Sequence, residues 1–426
     1  MESVAVIGTG IAGMSCARKL FGKVNLSLFE AELEPGGHTH TVDVQEQGAD
    51  IPVDTGFMVY NEVTYPLLTL LFKELEVETY ETDMSFGVQY TPQGLEYCGS
   101  NLNRLFAQRR NLLNPKFYGL IRDILRFNKL ANAALADPQI LDQTLESFAH
   151  EHRLGETFLK AYLVPMTSAI WSTPPGTMLQ FPAHTLIRFM YNHGLLGVQT
   201  QHTWRTVKGG SRSYRDKLIK PFRDHIQCGR PVTEVIRHET NVEVRTADGD
   251  KQFFDKVVMA THADTTVRLL QNPTADEERV LSCFKYAAND ITLHTDESIM
   301  PQNRRAWASW NYRMDTVEGD EEEASTHYWM NSLQDLAAEK NYFVSVNGAE
   351  GIREDSILRQ FSFDHPIFDK PAVQAQEKLP RLNEAGKLYY CGSYFRYGFH
   401  EDGLMSGYAA AEMLLKHTRP HAKLAV

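Results

Sequence analysis

The sequence predicts an α/β fold, with a strand, glycine turn, helix and strand at its start and further buried strands far downstream. Three observations predict it. The apolar run Val4-Ala5-Val6-Ile7 passes into Gly8-Thr9-Gly10-Ile11-Ala12-Gly13, then a helix-type stretch over residues 14–20 and a second apolar run, Leu26-Ser27-Leu28-Phe29, that ends on Glu30. Far downstream, Val257-Val258-Met259-Ala260 reads as another buried strand. Near the end, residues 387–393 read as a strand, and Glu401-Asp402-Gly403-Leu404-Met405 opens a final helix running through Ala411 and Leu415.

Continuous β-branched and apolar runs suit strands covered on both faces, which is the condition of a parallel sheet. Gly8 permits a tight turn, and Gly10 lets the backbone approach a pyrophosphate. Ile11 and Ala12 begin the helix whose N-terminus carries partial positive charge, and Gly13 lets that helix pack closely on its strand. Glu30 stands where a carboxylate accepts from ribose hydroxyls and repels a 2′-phosphate, which points to FAD or NAD rather than NADP. A lone Gly-x-Gly-x-x-Gly is often a plain glycine turn, but here strand, helix, strand and acid all flank it. Pro35-Gly36-Gly37-His38-Thr39 adds a second glycine pair, and two phosphate-facing turns suit the longer dinucleotide, FAD. Asp54-Thr55-Gly56-Phe57-Met58 places a small-residue turn where backbone can meet a flat ring system.

The 426 residues exceed what one compact core usually supports, so two interleaved units are expected. Composition is ordinary, 42% hydrophobic and 23% charged, and no run of about 18 apolar residues is present. The opening residues lack the pattern of a secretory signal, so a cytoplasmic location is expected. Cys16, Cys98, Cys228, Cys283 and Cys391 are scattered without Cys-x-x-Cys spacing, which argues for reduced thiols over disulfides or zinc. A net charge of −11 opposes nucleic-acid binding. His193, His202, His262 and His294 lack metal-ligand spacing, and no metal is expected.

Between residues 65 and 205 helix-type patterns dominate, with Leu67, Leu68, Leu71 and Leu75 on one stripe and Leu120, Ile124, Phe127 and Leu130 on another. From residue 101 to residue 136, Arg104, Arg109, Arg110, Lys116, Arg122, Arg126 and Lys129 stand against one acid, Asp123. A solvated helix face is the plain explanation, and peripheral docking on an anionic membrane is the functional one. Phe181, Leu186, Phe189, Met190, Leu195 and Leu196 suit either core or the wall of an apolar tunnel. Residues 228–236 start a hairpin turned by Asp248-Gly249-Asp250. Lys208-Gly209-Gly210-Ser211-Arg212 is expected as a turn beside the active-site cleft, and residues 315–323 as a solvated acidic loop.

Gly8 to Gly13, Glu30, the Gly36-Gly37 pair and Asp54-Thr55-Gly56, with the C-terminal strand and helix, resemble the signature of the flavin-containing amine oxidase superfamily. The resemblance implies a Rossmann-type FAD-binding domain, amine-oxidase-like and discontinuous in sequence, joined to an α+β substrate domain. Residues 1–64, 206–270 and 381–426 are then expected to bind FAD; 65–205 form a mainly helical substrate part and 271–380 its mixed-sheet part. FAD contacts are implied at Gly36, Gly37, His38 and Thr39, and at Gly56, Phe57 and Met58. Val232 is implied at the adenine, Gly392 and Ser393 at the ribityl chain, and Gly403, Leu404 and Met405 where the helix end faces the flavin. His38 departs from the superfamily's usual Arg, and Ser393 from its usual acid. No cysteine lies within residues 394–403, so noncovalent FAD is expected, His400 being the one exception conceivable.

Gly36-Gly37-His38-Thr39, Ala169-Ile170-Trp171-Ser172, Tyr328-Trp329-Met330-Asn331 and Gly398-Phe399-His400-Glu401-Asp402-Gly403 are similar to a bacterial subfamily of FAD-dependent oxidoreductases. Its relatives include the flavoprotein-like N-terminal part of plant cyclopropane fatty acid synthases. The similarity implies redox chemistry on an unsaturated or methyl-modified fatty acyl chain, with a position at the inner membrane surface as the alternative to free cytoplasm. An amine oxidase, a carotenoid-type desaturase and a non-catalytic flavin-binding partner of a lipid-modifying methyltransferase are the competing readings. His400 and Glu401 are the expected proton-transfer residues, because imidazole titrates near neutrality and a partnered carboxylate can be tuned upward. The plainer role for Glu401 and Asp402 is to cap the helix from Leu404 onward.

Overall fold

The computed structural model describes all residues except 138–139, 142, 173–174, 198–199, 317–321 and 419–426. Five parallel strands form the first sheet, in the order Ile226–Gln227, Asn25–Phe29, Ser3–Ile7, Lys256–Met259 and Leu388–Tyr390. They come from three distant stretches of chain, as the strand patterns predict. Val4, Val6, Val258 and Tyr389 point to a core shared with the helices Ile11–Leu20 and His400–Lys416. Ala5, Ile7, Val257, Met259, Leu388 and Tyr390 point the other way, against Val235, Val242 and Val244. This two-sided burial is what the uninterrupted apolar runs encode.

The expected hairpin after Val232 is a three-stranded meander, Val232–Arg237, Val242–Thr246 and Lys251–Phe254. Asp248-Gly249-Asp250 turns its second strand into its third, so the structure adds an earlier turn, after Arg237, to the one the sequence shows.

A seven-stranded sheet forms the second layer. Its order is Ile357–Ile367, Lys285–His294, Phe343–Val346, Glu322–Trp329, Trp310–Thr316, Phe86–Tyr90 and Leu95–Cys98. The stretch with dominant helical patterns therefore also gives this sheet two strands, Phe86–Tyr90 lying parallel to Trp310–Thr316. Asp315 and Thr316 pair with Glu323 and Glu322, so the ends of the acidic run belong to a hairpin rather than a loop, while residues 317–321 lie outside the described residues. Helices Pro115–Ala134, Leu145–Glu151, Val164–Trp171 and Ala183–Asn192 cover one face, packing Phe117, Leu120, Phe127, Phe148 and Leu186 with Val88, Trp310 and Tyr312.

Two glycines set the distance between the helices Ile11–Leu20 and His400–Lys416. A Cβ on Gly407 would lie 2.2 Å from both the Ala12 carbonyl oxygen and Ser15 Oγ, and one on Gly403 would lie 2.8 Å from Ile11 Cγ2. The Ala12 carbonyl is backbone and cannot rotate away as a side chain could. Gly407→Ala is expected to force the helices apart, lowering stability by about 1–3 kcal/mol and weakening cofactor retention. Thermal unfolding and the flavin content of the purified variant check this, and unchanged values for both would refute it.

Candidate active site

A cleft of about 680 Å³ runs between the two sheets, lined by residues from all three nucleotide-domain stretches and from the seven-stranded region. One end is glycine-walled. Gly8 has φ +96°, and a Cβ there would sit 2.8 Å from the Ala260 carbonyl, so the turn requires glycine. A Cβ on Gly10 would meet nothing within 4 Å, which leaves its backbone open to the cleft. Gly37, at φ +57°, faces Gly10 across the narrow side. Glu30 is held by the Thr9 backbone N–H and hydroxyl on Oε2 and by the Glu32 N–H at 3.1 Å on Oε1, leaving a lone pair on Oε1 for a further donor.

Beside the glycines, His38 stacks near His365, with ring centroids 5.3 Å apart, and near Phe363 at 4.8 Å. Burial and the neighbouring histidines hold His38 well below the usual imidazole range, so it is neutral. Its Nε2 is buried without a protein partner. A buried nitrogen in a cleft wall that lacks a partner fits a cofactor's polar group completing the bond.

In the middle of the cleft Phe57 stacks on His400, with centroids 3.8 Å apart and planes 16° apart. His400 Nε2 meets Tyr214 Oη at 2.9 Å and Thr39 Oγ1 at 3.2 Å, and those two hydroxyls lie 2.6 Å from each other. Burial drives the His400 pKa down to about 3. The imidazole lines the cleft as expected, but it is a neutral hydrogen-bonding group at physiological pH rather than one that titrates near neutrality.

Glu401 requires a larger correction. Its Oε1 and Oε2 accept the backbone N–H groups of Leu67 and Leu68, each at 2.9 Å, and it does not line the cleft. These are orphan donors in the first turn of the helix Pro66–Glu74, so Glu401 caps a different helix from its own. Asp402 does the local work, accepting from Phe399 N at 2.9 Å and Tyr397 N at 3.2 Å. Those bonds fix the residue 397–399 segment that forms part of the cleft wall.

Gly8, Gly10, Ile11, Ala12, Glu30, Gly37 and His38 line the cleft, as do Gly56, Phe57, Met58, Gly392, Ser393, His400 and Gly403. Six other residues implied at the cofactor are not among those lining the cleft. Gly13 serves packing, since a Cβ there would lie 2.0 Å from the Gly8 oxygen. Gly36 shapes its own turn at φ +136°, and Thr39 faces Tyr214 and His400. Leu404 is fully buried in the core, and Met405 and Val232 stand away from the cleft. The Lys208 to Arg212 turn also lies elsewhere: Ser211 donates through N and Oγ to buried Asp54, and Arg212 pairs with Asp43.

The other end is an aromatic chamber. Phe86, Met166, Ile170, Trp171, Phe189 and Trp204 line it together with Trp310 and Tyr328. Phe189 stacks on Phe399 at 5.2 Å and on His193 at 3.9 Å. His193, expected as a structural histidine, lines this chamber; burial lowers its pKa to about 4 and its Nδ1 lies 2.9 Å from the Phe189 oxygen. Of the six tunnel candidates, Phe189 and Leu195 face the cleft, while Phe181, Leu186, Met190 and Leu196 are core. Trp204 and Trp310 had no sequence signal beyond their size. The carboxylates lining the cleft are Glu30 and Glu32 at the glycine loop and Asp364, whose charge reaches His262 and His365. Among the described residues no group of His, Cys, Asp or Glu is arranged to hold a metal ion.

A model of the flavin-containing amine oxidoreductases matches residues 11–349. The chain belongs to that family. Its members are FAD-dependent oxidoreductases that hold the cofactor noncovalently, and this chain is one of them. Among solved structures, cyclohexylamine oxidase from Brevibacterium oxydans IH-35A matches with a TM-score of 0.71 at 15% identity, covering 98% of this chain and 100% of the other. A fatty acid isomerase from P. acnes, described as producing CLA, matches with a TM-score of 0.69 at 11% identity, covering 98% and 99%. Putrescine oxidase bound to putrescine matches with a TM-score of 0.68 at 13% identity, again covering 98% and 99%. A search of the curated proteins found no match. At these identities the structural likeness establishes the fold. Within the family site, Gly8, Gly10 and Gly37 would hold the diphosphate, Glu30 the ribose, and the Phe57 and His400 region the flavin ring.

Two measurements separate the roles of the neighbouring acids. Glu401→Ala leaves two helix N–H groups without their acceptor and is expected to cost about 1–2 kcal/mol of stability while the rate of flavin reduction stays near wild type. A collapse of the rate in a protein of wild-type stability would return Glu401 to the chemistry. Burial pushes Asp402 up to about 7, above an unfolded value of about 3.9. Between those values the folded protein holds a proton that the unfolded chain lacks, so this contribution to stability is full below about pH 4 and lost as pH rises through about 7. The melting temperature of Asp402→Asn is therefore expected to vary less across that window than the wild type's; parallel profiles would refute the assignment.

Proposed function

We propose that this flavoprotein removes hydride from, or returns it to, a hydrophobic fatty acyl substrate, unsaturated or methyl-modified. The observation that carries this reading is the chamber beside Phe57 and His400: aromatic and apolar side chains form it, and the cleft's carboxylates lie outside it. A long hydrocarbon gains from such walls because apolar contact area is removed from water at roughly 25 cal/mol per Å². A cationic amine would find no counter-charge there and would have to shed its proton. The fatty acid isomerase of the same fold supports the reading, since by its name it acts on a fatty acid.

FAD, when bound, supplies the hydride acceptor or donor. This chain's residues then position the acyl chain, exclude water and hold protons. Trp171 is fixed by its Nε1–H donating to the Tyr397 oxygen at 3.1 Å, which sets a flat wall beside Phe189 and Phe399. His400, Tyr214 and Thr39 form a neutral hydrogen-bonded chain along which a proton can be relocated without a free imidazolium.

A second reading, oxidation of a neutral amine, is favoured by the facing Phe189 and Phe399 rings and by membership of the amine oxidoreductase family. Anaerobic titration of the purified flavoprotein distinguishes the two. Bleaching of the flavin by unsaturated or cyclopropane acyl phospholipids, with cyclohexylamine and putrescine inert, is the expected result. Trp171→Ala is expected to raise the half-saturating lipid concentration by about tenfold or more, the scale of truncating one large buried aromatic contact. Bleaching by the amines alone would establish the second reading. A flavin that no substrate of either class reduces, and whose reduced form no acyl lipid reoxidises, would overturn both and favour a flavin-binding partner of a lipid-modifying methyltransferase.

A further inference from the structure

The helix Pro115–Ala134 buries Phe117, Leu120 and Phe127 and turns its other side outward. On that outward side Tyr118, Arg122, Leu125 and Lys129 follow one another at intervals of four, three and four residues, a single stripe on an α-helix. The turn leading into the helix, Arg109–Leu113, adds Leu112 and Leu113, the latter 90% exposed, and Leu102 nearby in sequence is 74% exposed. Large apolar side chains are thus interleaved with cations on a protein whose net charge is −11. The acid of this segment, Asp123, is buried and engaged by Arg122 and the Gly155 N–H.

The apolar residues stand on a fixed base. Arg109 donates to the Asn103 and Phe106 oxygens at 3.2 and 2.8 Å, and Arg110 donates to the Gly94 oxygen. Tyr118 Oη donates to the Leu112 oxygen at 3.1 Å, and Asn114 caps the helix by accepting from Lys116 N. A solvated helix face explains the cations but leaves an outward-pointing Leu112-Leu113 pair without a reason. Apolar side chains among cations are the chemistry of a surface that lies on an anionic bilayer, the cations meeting lipid phosphates while the apolar groups enter the acyl boundary. Among the described residues no helix is long and apolar enough to cross a membrane, so contact through this face would be peripheral.

We propose that Leu112, Leu113 and Tyr118, flanked by Lys116, Arg122 and Lys129, form a docking surface for anionic lipid bilayers. It rests on surface chemistry and stands whether or not the acyl substrate is correct.

The test is flotation of the FAD-loaded protein with vesicles of phosphatidylglycerol and phosphatidylethanolamine, against vesicles of phosphatidylcholine. Binding to the anionic vesicles alone, weakened by salt, is the expected result. The Lys116→Ala/Lys129→Ala variant is expected to lose roughly 25-fold in partitioning, at about fivefold per cation. Leu112→Ser/Leu113→Ser is expected to lose the salt-resistant remainder. Both variants are expected to keep the wild-type flavin spectrum and melting temperature, which separates lost docking from lost folding. Absence of binding to anionic vesicles, equal binding to neutral ones, or unchanged binding by both folded variants would overturn the proposal. So would a lipid-free dimer that the Leu112→Ser/Leu113→Ser variant dissolves, since a second copy would then cover this face.

Discussion

The approach of Gly403 and Gly407 to Ile11, Ala12 and Ser15 is the contact on which the cofactor site depends. It brings together the starts of two helices from opposite ends of the chain. Each helix start offers N–H groups and a partial positive charge, and a dinucleotide with a diphosphate and a readily reduced ring needs both. Any side chain larger than hydrogen at these glycines would change the separation of the two helix ends.

That geometry also explains the burial of acids around it. Glu401 and Asp402 are adjacent in sequence and nearly inaccessible, yet each is spent on backbone N–H groups: one on the helix Pro66–Glu74, the other on the segment holding Tyr397 and Phe399. The two carboxylates therefore tie the final helix to the start of the substrate region and to the cleft wall. A sequence of His, Glu and Asp beside a flavin invites a catalytic interpretation, but the directions of the side chains make one a cleft group and two of them clamps.

The nucleotide half was legible because its signals are local. Gly8, Gly10, Gly13 and Glu30 occupy a short strand-turn-helix-strand unit in which spacing fixes geometry, and the alternation of buried strands follows from composition. The chamber was not legible, because Phe86 and Trp310 meet across the seven-stranded sheet, Trp171 comes from a helix that covers it, and Trp204 comes from a separate three-stranded sheet. A large aromatic in isolation has the same sequence signature in a core and in a cleft. Glu401 failed as a catalytic candidate for a related reason: its partners lie more than 300 residues away in the chain. Val232, Leu404 and Met405 follow from motif alone, and none of them is among the residues lining the cleft.

The order of strands in the parallel sheet has a consequence for biosynthesis. Ser3–Ile7 emerges from the ribosome long before one of its two neighbours in the sheet, Lys256–Met259, and before the edge strand beyond that, Leu388–Tyr390. Until those residues are made, the glycine turn sits at the end of a strand with an unpaired edge. Such edges are prone to mispairing, and contacts this distant in sequence form slowly. The nascent chain therefore has no complete cofactor pocket to offer until Leu388–Tyr390 has been made, so flavin supply and chaperone access from that point would govern how much of the protein reaches its holo form.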